Sequence, residues 1–484
     1  MTFNSIEFVI FFVIVFSLYY FILKEKTKLQ NVLLLAASYV FYAWASWKIL
    51  FLLVVTTAVI YICGIAIFEA KTEKRKQLYT VLGIIFGIGM LLYFKYTNFF
   101  ISSFQVLFES LGLRTNLHTF KILVPFGISY YTFRLLSYII DIKRGKIEPT
   151  RNMVVFATYV AFFPCILSGP IDRPITLIPQ LQRKRTFDDT LAVDGMRQIL
   201  WGLFKKVVIA DNCAIYVDIV FGGDDQMQAG STLILAAVFY SFQLYADFSG
   251  YSDMAIGIAK LLGFRITKNF DFPFFSQNIA EYWRKWHISL TSWLTEYIFM
   301  PLNIRWRDRG NWGTIWAVII TFSICGLWHG DDWTFVIWGL YQGLLYIPLV
   351  LSGAMFKKNR IETYQWGCPK PKVLLNILLT FGLVTAGLVL FRAENMGQAA
   401  EFFGKISKVH TFFHLPVEMA HLMKNLFFIT CMMTVEWMER KNQYGFEKLG
   451  TRWKPVFRYL LYYAISFLII LSMGKDQKFI YFQF

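Results

Sequence analysis

The chain has 484 residues, of which 56% are hydrophobic and 16% charged, and its formal net charge is +17. That balance excludes an ordinary soluble globular protein. It does not imply nucleic acid either, because the basic residues gather in short loops between apolar runs, as at Lys71-Thr72-Glu73-Lys74-Arg75-Lys76, Arg183-Lys184-Arg185 and Lys441 through Arg458. This is the positive-inside pattern, which orients those loops to the cytoplasm. A basic cytoplasmic face would also attract a phosphate-bearing anionic donor.

Apolar runs of about 18 or more residues mark spans. Lipid offers the backbone no partners, so the spans must be helices. The first run, Phe8–Leu23, has no basic residues before it and no small-residue cleavage site after it, and reads as a retained helix. Helices follow over Leu29–Ala45, Leu50–Phe68 and Leu78–Phe94, the last ending in Tyr93-Phe94-Lys95-Tyr96, an aromatic girdle with a snorkelling lysine. Ser102–Thr119 is an outer-side helix or loop. Pro125 and Gly127 break the next apolar run, and Pro164, Gly169 and Pro170 break the one after. Such breaks are tolerated only where protein or water satisfies the freed backbone. A basic amphipathic stretch up to Arg197 reads as cytoplasmic surface in the headgroups.

Spans are expected over Met196–Val220 and Leu233–Ala246. Leu262–His287 is polar, aromatic and basic, with Pro273 against a regular helix. Helices over Ser292–Leu302, Thr314–Leu327, Thr334–Val350 and Val373–Phe391 lead to an outer segment, Arg392–Glu418, and His421–Met438 and Val456–Met473 complete the chain. The expected architecture is a single all-α, polytopic membrane bundle over residues 1–484. It has roughly 11 to 13 transmembrane or re-entrant helices around a central funnel, with an extracytoplasmic tail over residues 474–484. The six cysteines (63, 165, 213, 325, 368, 431) have no pairing or ligand spacing and read as small buried hydrophobes.

Ionisable residues at membrane depth are candidates for function by default. Arg134 must find a partner, such as Asp141, or snorkel. Asp247 and Asp253, embedded among small and apolar residues, form a conceivable acid/base pair. The structural alternative has them hold tyrosines, arginines or histidines across a bundle whose glycines permit close helix approach. His329, in Leu327-Trp328-His329-Gly330, lies between two long apolar segments, and His287, in Trp286-His287-Ile288, stands at the mouth of another. His329 could merely cap a helix at the outer interface, but two Trp-flanked histidines at span mouths point to one site. His410 and His414 have i, i+4 spacing, but Pro416 and the lack of a Cys or carboxylate cluster make them, with His421, surface residues and no metal site.

Taken in order, Tyr245-Ala246-Asp247-Phe248-Ser249-Gly250-Tyr251-Ser252-Asp253-Met254, Tyr282-Trp283-Arg284-Lys285-Trp286-His287 and Cys325-Gly326-Leu327-Trp328-His329-Gly330 resemble the membrane-bound O-acyltransferase superfamily. The resemblance is to its bacterial alginate O-acetylase-like branch and spans nearly the whole chain. It implies His329 as the essential histidine and His287 as its cytoplasmic-side partner, in a funnel supported by Trp328, Trp286, Asp247, Asp253 and Arg134. It also implies an acyl thioester donor such as acetyl-CoA, with no permanently bound cofactor. The glycan acceptor would lie beyond the membrane, served by an extracytoplasmic SGNH or esterase-like acetyltransferase, and the chain would sit in a bacterial cytoplasmic (inner) membrane. By composition the apolar tail from Phe479 to Phe484 reads as an interfacial belt; Phe479-Ile480-Tyr481 also resembles the terminal motif of small proteins that partner these enzymes, which makes Tyr481 a candidate acyl relay. Two other functions remain open: D-alanyl transfer to teichoic acid from a carrier-protein thioester, and a transporter or flippase.

Overall fold

The structure is a computed structural model that describes residues 1–44, 46–113, 118–120, 122–222, 229–357, 361–365, 367–407, 419–474 and 479–480. Among them the regular structure is helical, apart from an isolated β-bridge between Thr363 and Pro369. Among the described residues, seven segments are long and apolar enough to cross a membrane: Trp47–Glu69, Glu73–Ser110, Gly230–Leu261, Arg307–His329, Trp333–Leu351, Pro371–Arg392 and Pro455–Ser472. The protein is a polytopic helical membrane protein. Other expected spans are shorter helices or are interrupted by π-helical turns, as at Phe204–Ala210 and Thr295–Phe299, where one widened turn resets the helix face.

The chain forms two compact units, Met1–Met196 with Ala255–Thr267, and Arg197–Met254 with Lys268–Phe484. In the first, the break expected near Pro125 is real. Gly127 takes a left-handed conformation (φ 69°) and starts helix Ile128–Lys143, which is buried along nearly its whole length. That burial depends on close backbone approach: a Cβ on Gly64 would lie 2.6 Å from the Tyr138 ring, and one on Gly83 would lie 3.0 Å from Ile139.

Arg134 on this helix finds structural partners inside the protein, in backbone carbonyls. Its guanidinium donates to the carbonyls of Tyr159 and Val160 (3.3 Å each) and Pro170 (2.9 Å). The physical reason is the second Pro/Gly-broken stretch, which leaves carbonyls that a five-donor fork can satisfy. Lys95 departs from expectation, buried against Tyr96 within a π-helical turn rather than snorkelling. Cys165, Cys213 and Cys325 are buried hydrophobes, whereas Cys368 is exposed.

The helix expected to end at Ala246 continues without a break, from Gly230 to Leu261, and its part up to Met254 belongs to the second unit. Residues 246–255 are therefore a helical face rather than a connection, consistent with a run that lacks proline. Gly250 meets Gly202 backbone to backbone; a Cβ on either would come within 2.6 to 2.7 Å of the other's carbonyl oxygen. Gly310–His329 and Trp333–Leu344 form a tight hairpin about Gly326 and Gly339. A Cβ on Gly339 would stand 2.3 Å from the Phe322 carbonyl. His410 and His414, and the side chain of His421, lie outside the described residues.

Candidate active site

His329 is the last residue of the first hairpin helix, and the hairpin turn follows at once, with Asp332 accepting from the Thr334 N–H at 2.8 Å to cap the second. Gly330 is required there because any Cβ would lie 2.1 Å from the Phe335 ring. The imidazole is 3% exposed. Aromatic rings hold it nearly edge-on: Trp328 at 4.9 Å, Trp338 at 5.2 Å and Phe391 at 5.2 Å between centroids. It lines a narrow cavity shared with Trp283, Trp286, Tyr282, Gln342 and Phe391, about 10 Å³ in volume, which is room for one water. Trp283 donates its indole N–H to Gln342 at 3.2 Å, which fixes that wall.

His287 is fully buried and adopts a left-handed backbone (φ 43°, ψ 54°) at the N-cap of the short helix Ile288–Leu294. A non-glycine residue in that conformation is strained by about 1–3 kcal/mol and persists only where the surroundings over-determine it. Those surroundings are Asn269. Its carbonyl accepts from the Ile288 N–H (2.8 Å), and its side-chain oxygen accepts from the Ser289 hydroxyl (2.6 Å) and N–H (3.3 Å). The Asn269 amide in turn donates to Ser252 at 3.1 Å. Asn269 thus caps, from outside, a helix whose own N-cap residue cannot. The His287 ring packs on Phe248 at 4.6 Å and on Trp328 at 5.9 Å.

The two imidazoles therefore meet the same indole, that of Trp328. They differ in exposure, because His287 is not among the residues that line the cavity. Trp286 lines it too, stacked on Tyr282 at 5.5 Å.

Asp247 and Asp253 have lysine partners, not the tyrosine, arginine or histidine partners expected of them. Lys206 bridges Asp247 (2.7 Å) and Asp211 (2.8 Å), and Lys205 pairs with Asp253 at 2.6 Å. Gln198 also donates to Asp253 at 2.8 Å, and Lys205 to Ser249 at 2.8 Å. Both lysines sit on the π-helical turn Phe204–Ala210 and are buried. Nearby, the Tyr245 hydroxyl donates to Glu436, with both carboxylate oxygens at 2.9 Å. Two adjacent cations inside the apolar run Trp201–Ala210 are the sequence signal that would have identified Lys205 and Lys206. No local signal marks Asn269.

Tyr481 lies outside the described residues, but Phe479 and Ile480 do not. Both are buried, and the Ile480 N–H donates to Asp247 at 2.9 Å.

One buried histidine, His329, lines this aromatic cavity, and a second, His287, lies against the same indole. Comparison with known proteins gives the class. A model of the membrane-bound O-acyltransferase family matches residues 90–390, and the chain belongs to that family. It is 40% identical over 407 residues to a probable alginate O-acetylase of Azotobacter vinelandii, covering 82% of this chain and 76% of the relative. It is 33% identical over 428 residues to a peptidoglycan O-acetyltransferase of Helicobacter pylori (82% and 78%). It is also 28% identical over 280 residues to a teichoic acid D-alanyltransferase of Bacillus subtilis (55% and 68%). The protein is an integral-membrane acyltransferase.

Proposed function

We propose that the protein carries an acetyl group from a cytoplasmic thioester, acetyl-CoA or a similar donor, across a bacterial cytoplasmic membrane for O-acetylation of an exported polysaccharide or cell-wall glycan. The observation that carries this reading is the pair of buried imidazoles, His287 and His329, packed against the single indole of Trp328. Acyl transfer to a hydroxyl needs a base near neutral pKa, which imidazole supplies. His329, which lines the cavity, is the general base, and His287 is its partner. The attacking hydroxyl loses its proton to imidazole as its oxygen bonds to the acetyl carbonyl carbon. The C–S bond then breaks, and the proton passes to the departing thiolate. An aromatic enclosure with room for one water limits competing hydrolysis.

The first acceptor in this reading is the Tyr481 phenol. Phe479 and Ile480, which precede it, are buried in the unit that holds both histidines, and this supports the assignment. An aryl ester then surrenders its acetyl readily, because phenoxide is a better leaving group than an alkoxide. An SGNH or esterase-like partner outside the membrane passes the group to a glycan hydroxyl, and the phenol regains its proton. The two O-acetylating relatives, which each align with more than four-fifths of the chain, favour acetyl over D-alanyl.

The test is transfer by purified protein from labelled acetyl-CoA and, separately, from a D-alanyl carrier-protein thioester. The wild type is expected to accept the first alone. His329→Ala should abolish transfer while accumulating normally in the membrane. Retained acetylation in that variant would sink the assignment.

A further inference from the structure

The buried charges around Asp247 do more than balance one another. Asp247 and Asp211 share the single ammonium of Lys206, at 2.7 and 2.8 Å. The second oxygen of Asp247 takes the backbone N–H of Ile480 at 2.9 Å. A carboxylate in such surroundings is costly unless its oxygens are hydrogen-bonded, and a peptide N–H meets that need whatever side chain follows. The residue before Ile480 is held as well. The Phe479 ring lies 4.6 Å from the Tyr251 ring and 5.1 Å from the Lys206 ammonium, a cation–π contact. The segment 479–480 is thus seated by a charge-assisted hydrogen bond, a cation–π contact and an aromatic pair.

The seat also adjoins a contact of His287. Asp247 and Phe248 are consecutive residues of helix Gly230–Leu261, and the Phe248 ring packs edge-on against His287 at 4.6 Å. One helical turn therefore carries the anchor for the segment and a wall of the His287 site. We propose that Asp247, oriented by Lys206, is a positioning residue that docks the 479–480 segment and so fixes where residue 481 is delivered. The docking stands on these contacts alone; its consequence for catalysis rests on the acyl-relay reading of Tyr481.

The bond after Lys478 gives a direct readout, because trypsin needs Phe479 and Ile480 free to bind. Purified full-length protein in detergent is treated with trypsin, and release of the hexapeptide 479–484 is followed by mass spectrometry. Asp247→Ala is expected to speed release at least tenfold. Ile480→Pro removes the N–H bonded to Asp247 together with the isoleucine side chain but leaves the buried charges intact, so it tests the same bond should Asp247→Ala fail to fold. It should release the peptide at least fivefold faster than Ile480→Ala, which keeps the N–H. Unchanged release in both Asp247→Ala and Ile480→Pro overturns the anchor whatever Tyr481 does. Faster release together with full acetyl transfer by Tyr481→Phe upholds the anchor and removes the relay.

Discussion

Replacing Asn269 with Ala tests whether the pose of His287 is imposed by its neighbours. The substitution removes three side-chain hydrogen bonds, two to Ser289 and one to Ser252, but spares the backbone bond from Ile288 to the Asn269 carbonyl. A net hydrogen bond contributes about 1 kcal/mol, and each buried hydroxyl left without its partner costs a further 1–3 kcal/mol or so. The loss is thus about 3 kcal/mol or more, concentrated at the start of helix Ile288–Leu294. It exceeds the strain stored at His287, about 1–3 kcal/mol, so the left-handed residue should relax and shift the ring. A misplacement of about 1 Å typically costs a factor of about 10² in rate. The assay is acetyl transfer from labelled acetyl-CoA by protein in nanodiscs, with kcat and KM measured separately. We expect kcat to fall about 100-fold with KM little changed, because Asn269 does not line the cavity. Asn269→Asp, which keeps the acceptor for Ser289, should fall between. Asn269→Ala with kcat within twofold of wild type would refute the reasoning.

Three further outcomes follow from the same geometry. His287→Gly and His287→Ala should both lose transfer, but the glycine variant should be the more stable by about 1 kcal/mol in thermal unfolding, since only glycine accepts φ 43° without strain. Equal stability would mean that the left-handed conformation carries no strain. Lys205→Met leaves Asp253 without its ammonium and should cost about 3–5 kcal/mol in denaturant unfolding, with much of it recovered by adding Asp253→Leu. No recovery in the double variant would count against the pairing. Gly339→Ala should lower both stability, by about 1–3 kcal/mol, and transfer, because the new methyl meets the Phe322 carbonyl and pushes apart the hairpin whose first helix ends in His329.

Much of this protein is local information. A run such as Trp47–Glu69 declares a membrane helix by its hydrocarbon alone, because the solvent it requires is set by composition rather than by partners. Gly127 and its proline neighbour announce a break for the same reason: backbone sterics act within a few residues. The ordered motifs around Asp247, His287 and His329 were enough to suggest the family. What only the tertiary structure decided is who meets whom. Asn269 gives no sign in the chain that it will cap the helix after His287. Asp247 does not reveal that one oxygen will take Lys206, 41 positions earlier, and the other the amide of Ile480, 233 positions later. The Arg134 guanidinium settles on the Tyr159, Val160 and Pro170 carbonyls because a distant break frees them. Buried polar groups take whichever partner the packed helices bring within hydrogen-bond reach, and that choice is made by the fold, not by sequence spacing.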